Sequence, residues 1–390
     1  MIDVAKLRAD TPACETVLHF NNAGASLMPA PVADAVSAHL DLERRVGGYE
    51  AEAQAADDLA AFYTEFAALL GCSEAEVAYV ENATRAWDML FYSLPFAPGE
   101  RILTHGAEYA SNFLAMLQVA QRRGIRIDIA PSDASGQVDV AGLEKQVRPE
   151  TRLIALTHVP TQGGLVNPAE AVGRVAKRHG IPYLLDACQS VGQIGLDVGR
   201  IGCDMLTGTG RKFLRGPRGT GFLYVSHAIV ERLDPVFIDM RAATWTGPGE
   251  FEWAPGARRF ETWESFVAGR IGLMRAVRYA RGIGIDAIEA RVRVLAESLR
   301  DALASKAGIT VHDLGERRCG IVTFRKQGES PALLQRRLRD AGINVSVTGP
   351  VSAQLDLPAR GLDELVRASV HYYNTDDEIE RFVNAVLAGP

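Results

Sequence analysis

Short apolar runs alternate with longer amphipathic stretches through the middle of the sequence, and this alternation limits the possible folds more than any other feature. The runs have the length of buried strands, and most intervals between them are long enough for helices. The pattern predicts an α/β fold with a doubly wound, mostly parallel sheet. The last two runs are only about fifteen residues apart, which is short for a crossover helix, so one of these strands is expected to pair antiparallel. The predicted strands are 76–80, 102–103, 125–129, 153–156, 183–185, 205–206 and 222–225, and the predicted helices between them are 112–123, 141–147 and 169–179.

The segments on either side of this region predict a second, smaller unit. Thr375 and Glu378 have the spacing of a capping box, which indicates a helix near the end of the sequence. Further helices are expected at 4–8, 32–45, 51–70, 265–280 and 285–304, and short strands at 319–324, 343–347 and 366–373. The predicted division is a large α/β domain at 15–260 and a small α+β domain formed by 1–14 and 261–390.

The composition excludes several classes of function. The 390 residues carry a formal net charge of −6, which argues against a nucleic-acid partner or an anionic membrane. No apolar stretch reaches the length of a membrane helix, and the first residues do not resemble a signal peptide. The five cysteines lack CxxC spacing, and the eight histidines show no paired-ligand spacing. We therefore expect a cytoplasmic protein with reduced thiols and no bound metal.

An acid and a lysine stand just beyond the ends of two predicted strands. Ligands of such sheets bind at the carboxyl ends of the strands, where Asp186 and Lys212 are located. Lysine in a basic, Gly-rich turn is often solvated, and Asp at a strand end is often a turn former. Here the small residues at 207–210 allow a bulky group to approach closely. A desolvated lysine beside a cation such as Arg211 is also how a Schiff-base amine is activated, which favours a chemical role for the pair.

A site for pyridoxal phosphate needs four kinds of group. These are a lysine that forms a Schiff base, a carboxylate that keeps the pyridine nitrogen protonated, a phosphate site, and an aromatic or imidazole group over the ring. Lys212 and Asp186 supply the first two. Thr84 opens a predicted helix just after the strand at 76–80, which fits either an anion site or a plain helix cap.

Three motifs resemble those of a known enzyme family. Asp186 begins the sequence DACQ, Lys212 ends the sequence GRK, and GPRG follows at 216–219. Together they resemble the fold-type I pyridoxal-phosphate enzymes, and within these the class V aminotransferase and cysteine desulfurase group. The resemblance extends from about Ala23 to about Arg367. It implies the fold-type I transferase fold, a large domain that binds pyridoxal 5'-phosphate, and a homodimer with active sites near the interface.

The resemblance also implies a role for each site residue. Lys212 would carry the cofactor and act as the base, Asp186 would partner the pyridine nitrogen, and Tyr109 would stack on the ring where the family usually has a histidine. Gln189 would contact the ring hydroxyl. The implied phosphate contacts are Ala83, Thr84, Thr209 and Arg211, and the implied substrate contacts are Asn22, Thr161 and Arg367, of which Arg367 would bind the α-carboxylate.

Two departures from the desulfurase pattern guide the choice of reaction. Desulfurases of this group carry a nucleophilic cysteine on a loop before the carboxylate-binding arginine, whereas residues 345–356 contain no cysteine and Val351 stands near its place. The segment that usually lends a threonine to the phosphate site of the partner subunit has Glu264 near that position. In both respects the chain is more similar to hercynylcysteine sulfoxide lyases and related cysteine C–S lyases, and isopenicillin N epimerase-like members share many of these features.

The sequence therefore predicts a pyridoxal-phosphate enzyme that acts on an α-amino acid. The favoured reaction is β-elimination at the C–S bond of a cysteine derivative, with Lys212 removing the α-proton. An aminotransferase or an epimerase would use the same residues and stays an alternative, and a persulfide-forming desulfurase is less favoured. A dinucleotide-binding enzyme or a non-catalytic binding module is disfavoured, because no GxGxxG follows the first strand. The segment at 235–265 is expected to be an ordered loop or a dimer contact, and the substrate pocket is expected to involve Tyr49, Phe113, Thr161, Gln162 and the loop around 240.

Overall fold

Helices and strands alternate along the chain in the computed structural model, which describes residues 2–389. The helices are α1 Val4–Ala9, α2 Ala30–Val46, α3 Gly48–Gln54, α4 Ala56–Leu70, α5 Ala83–Tyr92, α6 Ala110–Arg123, α7 Val140–Gln146, α8 Ala169–His179, α9 Val198–Ile201, α10 Val267–Ile283, α11 Ile285–Ala304, α12 Pro331–Asp340 and α13 Asp376–Leu387. The strands are β1 Leu18–His19, β2 Val77–Val80, β3 Arg101–His105, β4 Arg126–Ala130, β5 Thr151–Thr157, β6 Tyr183–Asp186, β7 Met205–Thr209, β8 Gly221–Val225, β9 Ala243–Gly247, β10 Glu250–Trp253, β11 Ile309–Val311, β12 Ile321–Lys326, β13 Ile343–Asn344, β14 Ser346–Thr348 and β15 Leu365–Ser369.

A seven-stranded sheet in the order β2-β8-β7-β6-β5-β3-β4 forms the centre of the α/β region. The strands from β7 to β4 in this order pair in parallel, while β8 pairs antiparallel with both β7 and β2. The predicted fold class and the antiparallel pairing of one of the last two strands are therefore confirmed. Because antiparallel strands need no crossover helix, a turn joins β7 to β8, and Lys212 lies in that turn.

Helices cover both faces of this sheet, as its nearly continuous apolar strands require. In β6, Tyr183 and Leu185 join the core beneath α4, α8 and α10, while Leu184 joins the opposite core beneath α5 and α6. Neighbouring residues of a strand point to opposite faces, so each strand contributes to both cores. Leu184 has no exposed surface, and burying a side chain of this size contributes roughly 1.5–3 kcal/mol.

A four-stranded antiparallel sheet, β11-β12-β15-β14, forms a second unit. Its apolar core includes Leu299 of α11, Leu334 of α12 and Phe382 of α13. An early part of the chain also belongs to this region, because β1 pairs in parallel with β13. Helix α10 instead packs Leu273 into the core of the seven-stranded sheet. The domain limits at 15–260, and at 1–14 with 261–390, stay a prediction.

Two segments differ from what the sequence suggested. The single helix expected at 51–70 is interrupted at Ala55, where φ −93° and ψ 11° end α3 before α4 begins. Alanine is a strong helix former, so its presence there gave no sign of a break. The segment at 235–265, expected to be a loop, contains the antiparallel hairpin of β9 and β10, whose pairing shifts register next to Glu250.

The small unit holds two further differences and one agreement. The strand expected at 343–347 is divided between two sheets as β13 and β14. Helix α12 was not predicted, although Ser330 caps it by accepting a hydrogen bond from the Leu333 amide at 3.3 Å. The capping box of Thr375 and Glu378 is confirmed at the start of α13. Among residues 2–389, no helix combines the length and apolar composition that a membrane crossing requires.

Candidate active site

A cavity of about 290 Å³ lies at the carboxyl ends of β5, β6 and β7. Its volume is near the lower end of the range for small-molecule sites. Nine residues that the sequence suggested for the site line this cavity: Ala83, Thr84, Tyr109, Thr161, Asp186, Gln189, Thr209, Arg211 and Lys212. The fold therefore brings together residues that lie on separate parts of the chain.

Lys212 is buried in the turn between β7 and β8, with 8% of its surface exposed. Its Nζ lies 3.2 Å from Cys188 Sγ and forms no salt bridge with a carboxylate of residues 2–389. The amine is thus open to the cavity and is not committed to an ion pair, as a Schiff-base nucleophile requires. Burial raises the pKa of the Cys188 thiol, although the neighbouring Lys212 opposes that effect.

The lysine turn, residues 210–216, is held by a buried arginine. Arg215 is 1% exposed and has a left-handed φ of 62°, and its amide donates to the Lys212 carbonyl at 2.9 Å. Its guanidinium donates to the Leu27 carbonyl at 2.7 Å, the Tyr372 hydroxyl at 2.7 Å and Thr11 Oγ1 at 2.6 Å. These three oxygens belong to distant segments of the chain, so Arg215 fastens the turn to parts of the protein outside the sheet.

Asp186 ends β6 with both carboxylate oxygens held by donors. Oδ1 accepts from the Cys188 amide at 2.8 Å, and Oδ2 accepts from Asn112 Nδ2 at 2.8 Å. Asp186 is therefore oriented before any ligand binds, and its remaining lone pairs can accept a proton-bearing nitrogen.

The start of α5 forms one wall of the cavity. Asn82 caps this helix by accepting a hydrogen bond from the Arg85 amide at 2.9 Å. The first amides of a helix have no partner within the helix, so those at Ala83 and Thr84 are available where both residues line the cavity. Gly221 permits this approach, because a Cβ there would meet the Asn82 backbone at 2.8 Å. With Arg211 also in the lining, this wall suits a phosphate group.

Gln189 has an unpaired acceptor in the buried part of the site. Its Nε2 donates to the Ala23 carbonyl at 3.1 Å and to Thr161 Oγ1 at 3.4 Å. Its Oε1 is buried without a hydrogen-bond partner, and such a group is costly unless a ligand satisfies it. A ligand hydroxyl that donates a hydrogen bond to this oxygen would remove that free-energy cost.

Arg367 lies on β15 and reaches the cavity through Thr161. Its Nη1 donates to Thr161 Oγ1 at 2.5 Å and to the Thr161 carbonyl at 3.0 Å, while Nε donates to Ser346 Oγ at 3.0 Å. Burial lowers the pKa of Arg367 to about 10, and it forms no salt bridge with a carboxylate of the described chain. A buried guanidinium without an acidic partner is suited to a carboxylate ligand.

Like Arg367, three further candidates lie outside the cavity lining. The amide group of Asn22 is engaged inside the fold, since Nδ2 donates to the Ser369 carbonyl at 2.7 Å and Oδ1 accepts from the Tyr373 hydroxyl at 2.5 Å. Phe113 packs against the core beneath α5 and α6. Tyr49 lies instead in a second cavity of about 1180 Å³, which Glu264 and Arg241 also line.

The loop at 349–361 contains Val351, the residue expected near the place of the desulfurase cysteine. Val351 at its tip is 95% exposed. The loop is attached to the α/β region at two points: the Ser352 carbonyl accepts from the Ala110 amide at 3.3 Å, and Asp356 Oδ2 accepts from Gln162 Nε2 at 3.2 Å. Gln162 thus helps to hold this loop in place and does not line the cavity.

Sequence reasoning missed several polar residues of the lining. Asn82, Asn112, Thr157 and Arg218 all face the cavity. For Asn112 a weak signal was available, because it is a polar residue in the first turn of a helix that follows the carboxyl end of a strand, where ligands of such sheets bind. The described residues contain no group of three or more His, Cys, Asp or Glu side chains that could hold a metal ion.

Comparison with known proteins agrees with this geometry. The family model of the class V aminotransferases matches residues 18–382. The chain belongs to the class V aminotransferase family. Within it, a protein of Methanothermobacter thermautotrophicus named "Probable cysteine desulfurase" is 29% identical over 96% of this chain and 95% of its own length. A protein of the same name from Halalkalibacterium halodurans is 30% identical over 79% of this chain and 76% of its own length. The apo structure of the cysteine desulfurase from Thermococcus onnurineus superposes with a TM-score of 0.92 at 26% identity, covering 98% of this chain and 97% of that chain.

Class V aminotransferases depend on pyridoxal phosphate, and this is the cofactor of the chain. The cavity fits it on three counts: the unpaired Gln189 Oε1, the free amides at the start of α5, and the oriented carboxylate of Asp186. The likeness to hercynylcysteine sulfoxide lyases stays a prediction.

Proposed function

We propose that this class V enzyme cleaves the C–S bond of a cysteine derivative by β-elimination. One observation carries the amino-acid part of the proposal: Lys212 lines the cavity, Arg367 contacts the lining residue Thr161, and neither buried cation has a carboxylate partner among the described residues. An amino acid supplies an amine to exchange with Lys212 and an α-carboxylate to pair with Arg367. The names of the relatives support a cysteine-type substrate.

Each residue has a separate task in this proposal. Pyridoxal phosphate supplies the electron sink that stabilises negative charge at the substrate Cα. Asp186 keeps the proton on the pyridine nitrogen, Arg367 fixes the substrate carboxylate, and the Lys212 amine takes the proton from Cα. The Cβ–S bond then breaks and its electron pair leaves with sulfur. With one water consumed, the products are a thiol, pyruvate and ammonia.

The structure of the loop at 349–361 supports elimination over sulfur transfer to the protein. The relatives named cysteine desulfurase favour a persulfide mechanism. Yet the tip residue is Val351, and the cavity-lining thiol is Cys188, whose pKa is raised by burial. A thiolate is the nucleophilic form of cysteine, so a thiol held in its protonated form is a poor sulfur acceptor.

Product analysis tests the proposal directly. The purified holoenzyme is incubated with L-cysteine and with S-alkylcysteines, and pyruvate and alanine are quantified. Pyruvate in equal amount to released thiol supports β-elimination. Alanine with protein-bound sulfur would replace it with desulfurase chemistry, and keto-acid exchange or racemisation without pyruvate would favour an aminotransferase or an epimerase. Borohydride reduction should attach the cofactor to a peptide that contains Lys212.

A homodimer belongs to the same proposal. Met240 is 75% exposed and Trp245 is 79% exposed, and both are close along the chain to Arg241, which lines the second cavity. The half-exposed Trp263 lines that cavity itself. Exposed apolar surface of this kind is typical of a protein interface. Light scattering should give twice the chain mass, and the monomer mass alone would refute the dimer. The cytoplasmic location stays a prediction, which cell fractionation would check.

A further inference from the structure

A buried carboxyl group lies directly behind the cavity. Glu108 is 4% exposed and forms no salt bridge with a cation of the described chain. Its Oε2 accepts from Thr104 Oγ1 at 2.9 Å, and its Oε1 accepts from the hydroxyl of Thr157, a cavity residue. Burial raises the pKa of this carboxyl, and the hydrogen bonds from Thr157 and Asn112 oppose that effect. An acid buried without a cation adds little to stability, and such groups concentrate at functional sites.

Asn112 connects this carboxyl group to Asp186. Its Nδ2 donates to Glu108 Oε1 at 2.9 Å and to Asp186 Oδ2 at 2.8 Å, so both amide hydrogens are used between two carboxyl groups. Asn112 is 2% exposed and sits in the first turn of α6. Asp186 is held on its other oxygen by the Cys188 amide, so it cannot rotate without breaking one of these bonds.

The same carboxyl group also holds Tyr109. The Tyr109 amide donates to Glu108 Oε1 at 2.9 Å, and Tyr109 is the N-cap residue of α6. The partner of the pyridine nitrogen and the residue over the ring are therefore both anchored to Glu108, one through Asn112 and one directly. A shift of Glu108 would move both contacts to the ring together.

We propose that Glu108 and Asn112 form a positioning pair that fixes Asp186 and Tyr109 around the cofactor ring. The inference rests on the proposed roles of Asp186 and Tyr109. Neither member of the pair touches the reacting atoms in this proposal. They act by keeping the Asp186 carboxylate turned toward the ring nitrogen, where an opposite charge maintains the ring proton.

The test compares Asn112→Leu with a matched control. The substitution to leucine keeps the side-chain size and removes both bridging hydrogen bonds. Asn167→Leu is the control, because Asn167 is as buried as Asn112. Its Nδ2 donates to the Thr157 carbonyl at the end of β5 at 2.8 Å, and its side chain forms no hydrogen bond with Glu108 or Asp186. Glu108→Gln is the second variant, and Asn112→Ser replaces Asn112→Leu if that protein does not fold.

The readouts are the visible absorption of the bound cofactor against pH, kcat and KM. A ring nitrogen that loses its proton makes the lysine-linked nitrogen more basic, so Asn112→Leu should raise the pH midpoint of the visible band by about one unit. It should lower kcat roughly tenfold to a hundredfold with a smaller change in KM, as expected for loss of a hydrogen bond to a charged group. Glu108→Gln should shift the band in the same direction by less.

Asn167→Leu should lower thermal stability without moving the band. A band midpoint and kcat of Asn112→Leu equal to those of Asn167→Leu would overturn the positioning pair. The wild-type spectrum separates this inference from the proposed function: a pH-titrating band without pyruvate release refutes the lyase alone. A protein that takes up no pyridoxal phosphate refutes both.

Discussion

The turn that carries Lys212 and the loop at 349–361 are held in opposite ways. In the turn, Phe213, Leu214 and Arg215 are each 1% exposed, and hydrogen bonds tie the turn to segments far along the chain. The loop has a tip that is 95% exposed at Val351, and its apolar contacts are a small local cluster of its own residues and those that follow it.

This difference separates the cofactor side of the site from the substrate side. The turn is part of the protein interior, so a change there must be accommodated by the whole fold. The loop is a surface feature, and surface loops accept substitution while the scaffold stays the same. We infer that the loop can change the group that it offers to the substrate while the turn keeps the cofactor chemistry.

The strongest test of the turn is Lys212→Ala. Loss of the only amine proposed for both Schiff-base formation and proton removal should lower kcat by about 10³-fold or more. Pyruvate formation measures the effect, and Lys177→Ala, at an exposed position of α8, is the control. Activity within tenfold of the wild type would show that the turn does not carry the chemistry.

Arg215→Met tests how the turn is held. The Leu27, Tyr372 and Thr11 oxygens would lose their donor, so the free energy of unfolding should fall by about 2–4 kcal/mol. Urea denaturation of the holoenzyme measures this change, with the exposed Arg293→Met as control. Arg215→Gly removes the same side chain, but glycine adopts a φ of 62° without steric strain. Backbone strain should therefore destabilise Arg215→Gly less than Arg215→Met. A change below about 0.5 kcal/mol in Arg215→Met would contradict the comparison.

Arg367→Lys tests the side of the site where the substrate is expected. Lysine keeps the charge but cannot bind a carboxylate in a bidentate manner, so kcat/KM should fall roughly tenfold to fiftyfold, mainly through KM. Steady-state kinetics measures it, and Arg325→Lys on β12 is the control. An unchanged KM would remove Arg367 from substrate binding.

Cys188→Ala tests whether the thiol beside Lys212 takes part in the reaction. Its sulfur makes one weak hydrogen bond to Nζ at 3.2 Å, so pyruvate formation should change by about threefold or less. Mass spectrometry of the wild type during turnover should show no added sulfur on this residue. Loss of activity together with a persulfide on Cys188 in the wild type would give this residue the role of the missing loop cysteine.

The smallest effect is expected at the loop tip. Val351→Cys replaces an exposed side chain that contributes nothing to the core, so pyruvate formation should stay within about twofold of the wild type. The alanine-to-pyruvate ratio is the measurement. A rise in alanine would show that a thiol placed there reaches the leaving sulfur. The loop would then take part in the reaction, as the lysine turn is proposed to do.

Much of the scaffold follows from local sequence signals. The apolar runs predicted the seven strands, and the short interval before 222–225 predicted the antiparallel return of β8, because spacing restricts how strands can be connected. Asp186 and Lys212 were recognised because charged residues at buried strand ends are uncommon. The hairpin of β9 and β10 was missed because Pro248 and two glycines in its turn look like any loop.

The parts of the site that were not predicted depend on contacts across the fold. Asn112 and Asp186 are 74 residues apart, and no local pattern shows that one amide joins two carboxyl groups. The left-handed φ of Arg215 was equally hidden, because such a backbone is normally signalled by glycine. Asn22 was placed among the substrate contacts by resemblance, while its amide is used inside the fold by Ser369 and Tyr373.

The contacts that hold the lysine turn also determine when, during synthesis of the chain, the turn can become fixed. Arg215 needs the Tyr372 hydroxyl 157 residues later in the chain, and the Phe213 carbonyl contacts His371, 158 residues later. A ribosome that has translated only the seven-stranded sheet has therefore made Lys212, Thr11 and Leu27, but not Tyr372 or His371. The full set of contacts that holds the turn can form only after residue 372 has left the ribosome. Capture of pyridoxal phosphate at a fully held Lys212 turn should then follow the synthesis of nearly the whole chain.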